Sequence, residues 1–340
     1  MKTIQWRNGV VHTIDQSKLP LQAVYLKLRD PKEIASAIRE MKIRGAPLIG
    51  AASALALALT AFKSRAKKSN YLLKELAITA DLIKNTRPTA INLFNAINEI
   101  LEFSSKKSDA DVRDLRLAII EKCLDMVRCD SEVNFRIGQY GASLIHDGDT
   151  ILTHCNAGAL ATVEHGTAIS VITAAHSSGK KLKVIATETR PLLQGSRLTT
   201  YELKQARIPV QLIADSAAGL TMARGLVDKI VVGADRILST GHVINKIGTY
   251  MIASVAKQHN VPFYVAAPTT TLDLNSKPSD VIIEERDPNE IIKILGKRIA
   301  PIGVEALNPA FDMTPPELVS AVITERGVIY PPFRELREES

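Results

Sequence analysis

Two side chains of this sequence have the character of catalytic groups, the thiol of Cys155 and the carboxyl of Asp235. Cys155 lies between an apolar run and a segment at Gly158 that we expect to open a helix, where the helix dipole and free amides would stabilise a thiolate. Asp235 ends another apolar run, where burial would disfavour the charged form and suit the carboxyl to give or take a proton. Each residue has a plain alternative, because Cys155 could be a buried structural cysteine and Asp235 a helix N-cap.

A second set of residues suits an anionic ligand that carries hydroxyl groups. Lys246 is predicted to begin the helical run to Gln258, so that its charge and the helix-end amides could hold one phosphate. Arg44 is followed by a glycine that lets backbone approach a ligand and, two residues later, by a proline suited to a first helical turn. Arg87 precedes another proline, and Gln194 could hydrogen-bond a sugar hydroxyl. Singly, each could be a solvated charge or a cap, but together they indicate a phosphorylated polar ligand.

The elements that must position these residues are short apolar runs separated by helix-length segments. Runs of this kind are typical of parallel strands that are buried on both faces and covered by helices. Chemically capable residues follow each run, and open α/β sheets bind ligands at the carboxyl ends of their strands. An active site is therefore predicted at this edge of the sheet, whose runs are 150–153, 183–186, 210–214, 230–232 and 263–266.

The first part of the chain has a different pattern. Residues 3–28 alternate apolar and polar residues around an Asn-Gly turn signal, which predicts a small antiparallel sheet. Amphipathic helical stretches follow, and the nearly charge-free segment 46–62 is predicted to be a buried helix rather than a membrane span. We expect an α/β protein with a strand-capped helical domain over 1–146 and a catalytic domain over 147–340.

Composition and missing motifs exclude several classes of protein. The net charge of +7 is spread over mixed Lys, Arg, Asp and Glu, so we expect neither a nucleic acid nor a membrane as partner. Dinucleotide and nucleotide-phosphate fingerprints do not follow the strands, and the three cysteines lack zinc spacing. We therefore expect no cofactor and no metal. The odd cysteine count and the polar N-terminus favour the reducing cytoplasm.

Long motifs along nearly the whole chain resemble those of the methylthioribose-1-phosphate isomerases. This group is a branch of the family that also contains the regulatory alpha, beta and delta subunits of eukaryotic translation initiation factor 2B. The motifs are MKIRGAPLIGAAS (41–53), NTRPTAINLF (85–94), ILTHCNAGALAT (151–162), ETRPLLQGSRLT (188–199), VVGADRI (231–237), NKIGTY (245–250), FYVAAPTTTLD (263–273), IEERDPNEI (283–291), NPAFDMTP (308–315) and TERGVIYPP (324–332).

The resemblance implies a Rossmann-like C-terminal domain, a homodimer and a phosphorylated pentose as substrate. The implied reaction converts 5-methylthioribose 1-phosphate into 5-methylthioribulose 1-phosphate in methionine salvage. Cys155 and Asp235 match the catalytic pair of the family. The implied substrate-binding residues are Arg44, Gly45, Ala46, Arg87, Gln194, Asn245 and Lys246.

One departure from the pattern keeps two alternatives open. Ala217 stands where many close relatives carry Met, and a smaller side chain near the methylthio end would enlarge the pocket. The first alternative is therefore a ribose-1,5-bisphosphate isomerase, which also has a similar segment at this place. The second is a catalytically silent regulatory subunit, against which the retention of Cys155 and Asp235 argues.

Overall fold

The chain divides into two compact units. A computed structural model describes residues 1–87 and 91–337. The first unit comprises Met1–Val133 and Ala159–Gly166, and the second comprises Asn134–Gly158 and the chain from Thr167 onward. Compared with the expected domains 1–146 and 147–340, residues 134–146 group with the second unit and residues 159–166 with the first. The boundary between the functional domains stays a prediction.

The N-terminal strands form the small antiparallel sheet that the sequence predicts, with β2 between β1 and β3. The first helix is capped by Asp30, whose carboxylate accepts a 2.8 Å hydrogen bond from the amide of Lys32. The elements up to residue 142 are β1 (Ile4–Arg7), β2 (Val10–Ile14), β3 (Tyr25–Leu28), α1 (Pro31–Arg39), α2 (Ala46–Lys63), α3 (Ser69–Lys84), α4 (Ile91–Ser105) and α5 (Val112–Ala142).

Helix α2 is the central helix of the first unit. By length and composition it could cross a membrane, and it is the only such helix among residues 1–87 and 91–337. Its aliphatic side chains are nevertheless buried among the neighbouring helices, and Leu55, Leu57 and Leu59 have no exposed surface. This burial matches the sequence prediction of a core helix.

The second unit contains a seven-stranded sheet in the order β16-β15-β10-β7-β4-β5-β6. All pairs are parallel except the edge pair of β15 and β16. The remaining strands are β4 (Thr150–Thr153), β5 (Lys183–Thr187), β6 (Val210–Ile213), β7 (Lys229–Val232), β8 (Arg236–Leu238), β9 (Val243–Lys246), β10 (Phe263–Ala266), β11 (Leu272–Asp273), β12 (Lys293–Ile294), β13 (Lys297–Arg298), β14 (Phe311–Thr314), β15 (Ala321–Ile323) and β16 (Val328–Ile329).

The strand order is that of a doubly wound α/β sheet. Chain direction across the sheet reverses between β4 and β7, and ligands bind at such a reversal in open α/β sheets. Each of the five predicted apolar runs is a strand of this sheet, which confirms the predicted α/β class with a mainly parallel sheet. The helices of this part are α6 (Ala168–Ser177), α7 (Thr200–Gln205), α8 (Ala218–Ala223), α9 (Thr249–Gln258) and α10 (Asn289–Ile292).

The strands β8 and β9, which follow β7 in the chain, belong to a four-stranded sheet in the order β11-β8-β9-β14. The sequence does not predict this sheet. The observed sheet corrects one expectation, because Lys246 ends strand β9 and helix α9 begins only at Thr249. The break falls at Gly248, whose φ of +101° lies in a region that side chains disfavour.

Helix α9 is capped by a side chain from a distant strand of that sheet. The carboxylate of Asp312 in β14 accepts a 2.7 Å hydrogen bond from the amide of Gly248, at the helix N-terminus. Its second oxygen is buried and has no hydrogen-bond partner within the described residues. Burial raises the pKa of this carboxyl to about 6, although the amide hydrogen bonds and Lys246 act in the opposite direction.

The substitution Asp312→Asn should change how stability depends on pH. Since the folded-state pKa is raised, the contribution of Asp312 is fully present below the unfolded pKa and is lost as the pH rises through about 6. Asparagine keeps the acceptor for Gly248 but does not titrate. The melting temperature of the variant relative to the parent should therefore be higher at about pH 7.5 than at about pH 4.5.

A control uses Asp287→Asn, because hydrogen bonds from Asn289 lower the pKa of that exposed carboxyl. Because a lowered pKa affects stability only as the pH falls below the ordinary range of that carboxyl, the Asp287→Asn difference should be nearly the same at both pH values. An Asp312→Asn difference that is the same at both pH values would contradict the raised pKa.

Candidate active site

Cys155 follows β4 and Asp235 follows β7, the two neighbouring strands at which the strand order of the sheet reverses. β4 and β7 are paired in parallel, with Ile151 opposite Lys229 and Leu152 opposite Ile230, so both residues lie at the same carboxyl edge. The two following segments touch, since a Cβ placed on Gly233 would lie 2.7 Å from the Cβ of Ala157. This arrangement places the two segments that carry the predicted catalytic residues side by side at one edge of the sheet.

The backbone of Cys155 is held in an uncommon conformation. Its φ is +62°, and its amide donates a 2.9 Å hydrogen bond to the hydroxyl of Thr189. Its carbonyl accepts a 2.6 Å hydrogen bond from the hydroxyl of Thr199. The thiol is partly exposed and forms no disulfide. Backbone strain of this kind persists only where neighbouring groups fix it, which is typical of functional turns.

The expected helix directly after Cys155 is not present. Ala159–Ala161 forms a single short turn, and helix α6 begins at Ala168. The dipole of a directly attached helix therefore does not act on the thiol. The turn itself takes its place as the constraint that positions Cys155.

Asp215 stabilises the neighbouring turn after β5. Its two carboxylate oxygens accept hydrogen bonds of 2.7 Å each from the amides of Thr189 and Arg190. Thr189 has a φ of +63°, which is an outlier for a β-branched residue. The Asp215 carboxylate therefore fixes the turn that contains Thr189. The hydroxyl of Thr189 accepts a hydrogen bond from the amide of Cys155.

Asp235 lies between β7 and β8 and is partly exposed. Its amide donates a 2.9 Å hydrogen bond to the carbonyl of Ile244 in β9. A strand, not a helix, follows Asp235, which excludes its alternative as a helix N-cap. The adjacent Arg236 forms a 3.4 Å ion pair with Asp273.

Lys246 is a buried cation at the end of β9, with 7% of its surface exposed. Its ammonium donates a 2.8 Å hydrogen bond to the carbonyl of Ala310 and lies 4.9 Å from the centre of the Phe311 ring. Within the described part of the chain it has no carboxylate within salt-bridge distance. Buried charges are normally paired, so this ammonium suits an anionic ligand.

Asn245 and the start of α9 complete this corner of the site. The side-chain amide of Asn245 donates a 3.0 Å hydrogen bond to the hydroxyl of Thr249, which itself donates to the carbonyl of Lys246 at 2.6 Å. The amide of Gly248 is already bonded to Asp312. That helix-end amide is therefore not available to a phosphate, which leaves the Lys246 charge as the candidate anion-binding group of this corner.

Gln194 follows β5 and is 6% exposed. Its side-chain oxygen is buried and, within residues 1–87 and 91–337, has no hydrogen-bond partner. The next residue, Gly195, packs so closely that an added Cβ would lie 1.8 Å from the carbonyl oxygen of Thr187. An unsatisfied buried acceptor costs free energy, so a hydroxyl donor from a ligand would complete it.

The other four predicted binding residues belong to the first unit. Arg44 is buried, and Gly45 precedes helix α2 with a φ of +92°, while Ala46 is the first helical residue. An added Cβ on Gly45 would lie 2.5 Å from the Cα of Ala161, so close packing alone requires glycine here. Arg87 contacts the sulfur of Met41 at 3.6 Å, near the turn that leads to Arg44. The adjoining Pro88 and Thr89 lie outside the described residues.

Several buried polar residues around Cys155 were not assigned a role from the sequence. His154, Thr187 and Thr189 are each at most 1% exposed, and each hydrogen-bonds within the strand ends of the site. The signal that could have found them is a polar side chain at the end of an apolar strand, where burial requires a partner.

No group of three or more His, Cys, Asp or Glu side chains that could hold a metal occurs in the described residues. The site therefore offers a thiol, a carboxyl, a buried ammonium and an unsatisfied amide oxygen. Together these groups can transfer protons, bind an anion and accept a hydroxyl hydrogen bond.

Known proteins resemble this chain over nearly its full length. A methylthioribose-1-phosphate isomerase of Thermosipho africanus is 49% identical over 334 residues, covering 98% of this chain and 96% of the relative. The solved structure of 5-methylthioribose 1-phosphate isomerase from Pyrococcus horikoshii has a TM-score of 0.95 at 43% identity, covering 99% of this chain and 95% of that one. A structure described as translation initiation factor eIF-2B, subunit delta, from A. fulgidus has a TM-score of 0.90 at 46% identity, covering 98% and 97%.

A family model places these similarities in one group. The model described as the initiation factor 2 subunit family matches residues 42–331, which include every candidate site residue named above. The doubly wound sheet, the residues at its reversal and this match agree, and the chain belongs to the initiation factor 2 subunit family.

Proposed function

We propose that this protein is an aldose-ketose isomerase that converts 5-methylthioribose 1-phosphate into 5-methylthioribulose 1-phosphate, a step of methionine salvage. The observation that carries the proposal is the thiol of Cys155 and the carboxyl of Asp235 at adjacent strand ends. The relatives named as methylthioribose-1-phosphate isomerases, at up to 49% identity, support the choice of substrate.

The proposed substrate explains why such a site is needed. A sugar phosphorylated at its anomeric oxygen has no free hemiacetal, so its ring cannot open spontaneously as that of an ordinary aldose does. The enzyme must help to break the bond between C1 and the ring oxygen while the phosphate stays attached. Hydrogen must then pass from C2 to C1 while the hydroxyl on C2 loses its proton, which leaves a ketone at C2.

Two proton-transferring groups are sufficient for this series of reaction steps. Asp235 donates a proton to the ring oxygen as the bond to C1 breaks, and later shuttles protons at the opened chain. Cys155 acts at the face of C1 and C2 as a base or as a stabilising group. Neither role requires a metal or a cofactor, and we propose that the enzyme uses none.

Binding of the phosphate and the sugar falls to the remaining residues. Lys246 holds the phosphate through its buried charge, and Gln194 accepts a hydrogen bond from a sugar hydroxyl. The other proposed contacts are Arg44, Gly45, Ala46, Arg87 and Asn245. We further propose a cytoplasmic homodimer that binds neither nucleic acid nor membrane.

Two other functions remain to be separated from this one by experiment. Ala217 would suit a larger 5-substituent, as in ribose 1,5-bisphosphate. The name of the A. fulgidus structure, a translation initiation factor subunit, points to a regulatory role at 46% identity. The presence of both Cys155 and Asp235 favours an enzyme over a silent subunit.

Product analysis tests the substrate directly. The purified protein should convert 5-methylthioribose 1-phosphate into its ketose, and should convert ribose 1,5-bisphosphate much more slowly. Phosphorus and carbon NMR of each incubation would identify the products. Faster conversion of the bisphosphate would replace the proposed substrate, and binding of either sugar without conversion would favour the regulatory function.

Substitution of the catalytic pair tests the mechanism. Asp235→Asn keeps the shape and hydrogen bonding but cannot transfer a proton, so kcat should fall by roughly 10²- to 10⁴-fold while substrate still binds. Cys155→Ser should be similarly damaging, because a hydroxyl titrates far too high to replace a thiol. Steady-state assays, calorimetric binding and thermal melts would be measured on both variants.

Exposed residues provide matched controls for these substitutions. Cys129→Ser and Asp287→Asn make the same chemical changes at exposed positions and should leave kcat unchanged. Turnover by Asp235→Asn at the rate of the parent protein would rule out its role as the general acid.

The anion site is tested by Lys246→Met, which keeps the length of the side chain and removes its charge. Loss of a charge-assisted contact worth about 1.5–3 kcal/mol should weaken substrate binding by roughly 10- to 100-fold. Arg87→Ala should weaken it as well, whereas Lys257→Met, at an exposed position in the last turn of α9, should not. Unchanged affinity in both Lys246→Met and Arg87→Ala would show that the phosphate binds elsewhere.

A further inference from the structure

We propose that His154 is a positioning residue that fixes the distance between the Cys155 turn and the loop that carries Lys246. This inference rests on the proposed function, because it concerns two groups that act on the same end of the substrate. His154 would support the reaction without touching either the phosphate or the sugar.

The imidazole of His154 bridges two segments of the second unit. Its Nε2 lies 2.8 Å from the carbonyl oxygen of Ile247, the residue after Lys246. Its Nδ1 lies 2.6 Å from the hydroxyl oxygen of Thr187, at the end of β5. His154 itself directly precedes Cys155, so the ring joins the turn of Cys155 to the loop that carries Lys246.

The partners of the ring determine its tautomer. The carbonyl of Ile247 can only accept, so Nε2 carries the proton and donates it. The ring is buried with 1% of its surface exposed, and this burial lowers its pKa and favours the neutral form. Nδ1 of a neutral ring then accepts from the hydroxyl of Thr187. Both ring nitrogens are therefore satisfied in one fixed orientation.

The same hydrogen-bond network returns to Cys155. The hydroxyl oxygens of Thr187 and Thr189 lie 3.3 Å apart, and Thr189 accepts the amide of Cys155 at 2.9 Å. The ring thus reaches Cys155 both through the chain and through two threonine hydroxyls. A displacement of the ring would move the turn that holds the thiol.

The same edge of the ring, which carries Nε2, also packs against the backbone of Gly248. A Cβ added to Gly248 would lie 3.2 Å from the Cε1 and Nε2 atoms of His154, so a larger residue there would press on the imidazole. The loop is also held by the Asp312 carboxylate, which accepts a hydrogen bond from the Gly248 amide. His154 and Asp312 together fix the backbone next to Lys246.

The substrate explains why this separation must be precise. Its phosphate is attached to the oxygen on C1, and the hydrogen transfer occurs between C1 and C2. The substrate atoms on which Lys246 and Cys155 act are therefore only a few bonds apart. A misplacement of about 1 Å in such an arrangement can reduce the rate on the order of 10²-fold. A rigid ring that makes one hydrogen bond to each of the two neighbouring segments meets that requirement.

Two substitutions separate positioning from a purely structural role. His154→Gln offers a donor and an acceptor at a similar spacing, and His154→Leu removes both. We expect His154→Leu to lower kcat at least about 10-fold and His154→Gln to restore most of it. Ser170→Ala serves as the control, because it removes a buried 2.9 Å hydrogen bond to the Asn134 carbonyl within the same unit. It should lower the melting temperature and leave kcat unchanged.

A second measurement does not depend on isomerase activity. In a Cys129→Ser background, the rate at which iodoacetamide alkylates Cys155 is measured with increasing inorganic phosphate. Phosphate should slow alkylation in the parent protein, and His154→Leu should raise the half-protecting phosphate concentration at least about 10-fold, whereas His154→Gln should not.

The outcomes distinguish the two hypotheses. A parent protein without isomerase activity whose phosphate protection still depends on His154 would overturn the proposed function and support the positioning role. Absence of phosphate protection in the parent, or a folded His154→Leu with parental kcat and parental protection, would overturn the positioning role.

Discussion

The parallel pairing of β4 with β7 is the interaction on which the site depends. It places two segments that are about eighty residues apart in the chain at one edge of the sheet, where their residues can meet. The strand order reverses at this pair, and ligands bind at such a reversal in open α/β sheets. The segments that carry Cys155 and Asp235 owe their position at one edge of the sheet to this register.

Around that pair, the site is fixed by partly buried polar contacts rather than by regular structure. Asp215 holds the Thr189 turn, Thr189 accepts the amide of Cys155, and the hydroxyl of Thr199 donates to the Cys155 carbonyl. Each contact is made in a partly buried environment, where an unsatisfied polar group would be costly. The turns can therefore keep backbone conformations that isolated peptides would avoid. The same contacts would preorganise the turn of Cys155, the proposed catalytic thiol.

The sequence predicted the central strands well because their signal is local. Apolar runs such as 150–153 and 263–266 match strands of the sheet to the residue, since burial on both faces leaves a continuous apolar pattern. The four-stranded sheet was missed because its strands have two to four residues and mixed composition. The contact between Asp312 and Gly248 joins positions 64 residues apart, and no local pattern reveals such a pair. For the same reason the prediction placed the start of α9 at Lys246, three residues too early.

The occupation of the α9 N-terminus by Asp312 has a consequence for selectivity. Backbone amides arranged around a phosphate recognise its shape, whereas a single ammonium such as Lys246 responds mainly to charge. With the Gly248 amide already bonded, we expect the proposed anion site at Lys246 to attract anions without distinguishing closely among them. Affinity and discrimination are then supplied by different parts of the protein. Substrate choice can change through residues that face the sugar and its 5-substituent while the anion-binding corner remains as it is.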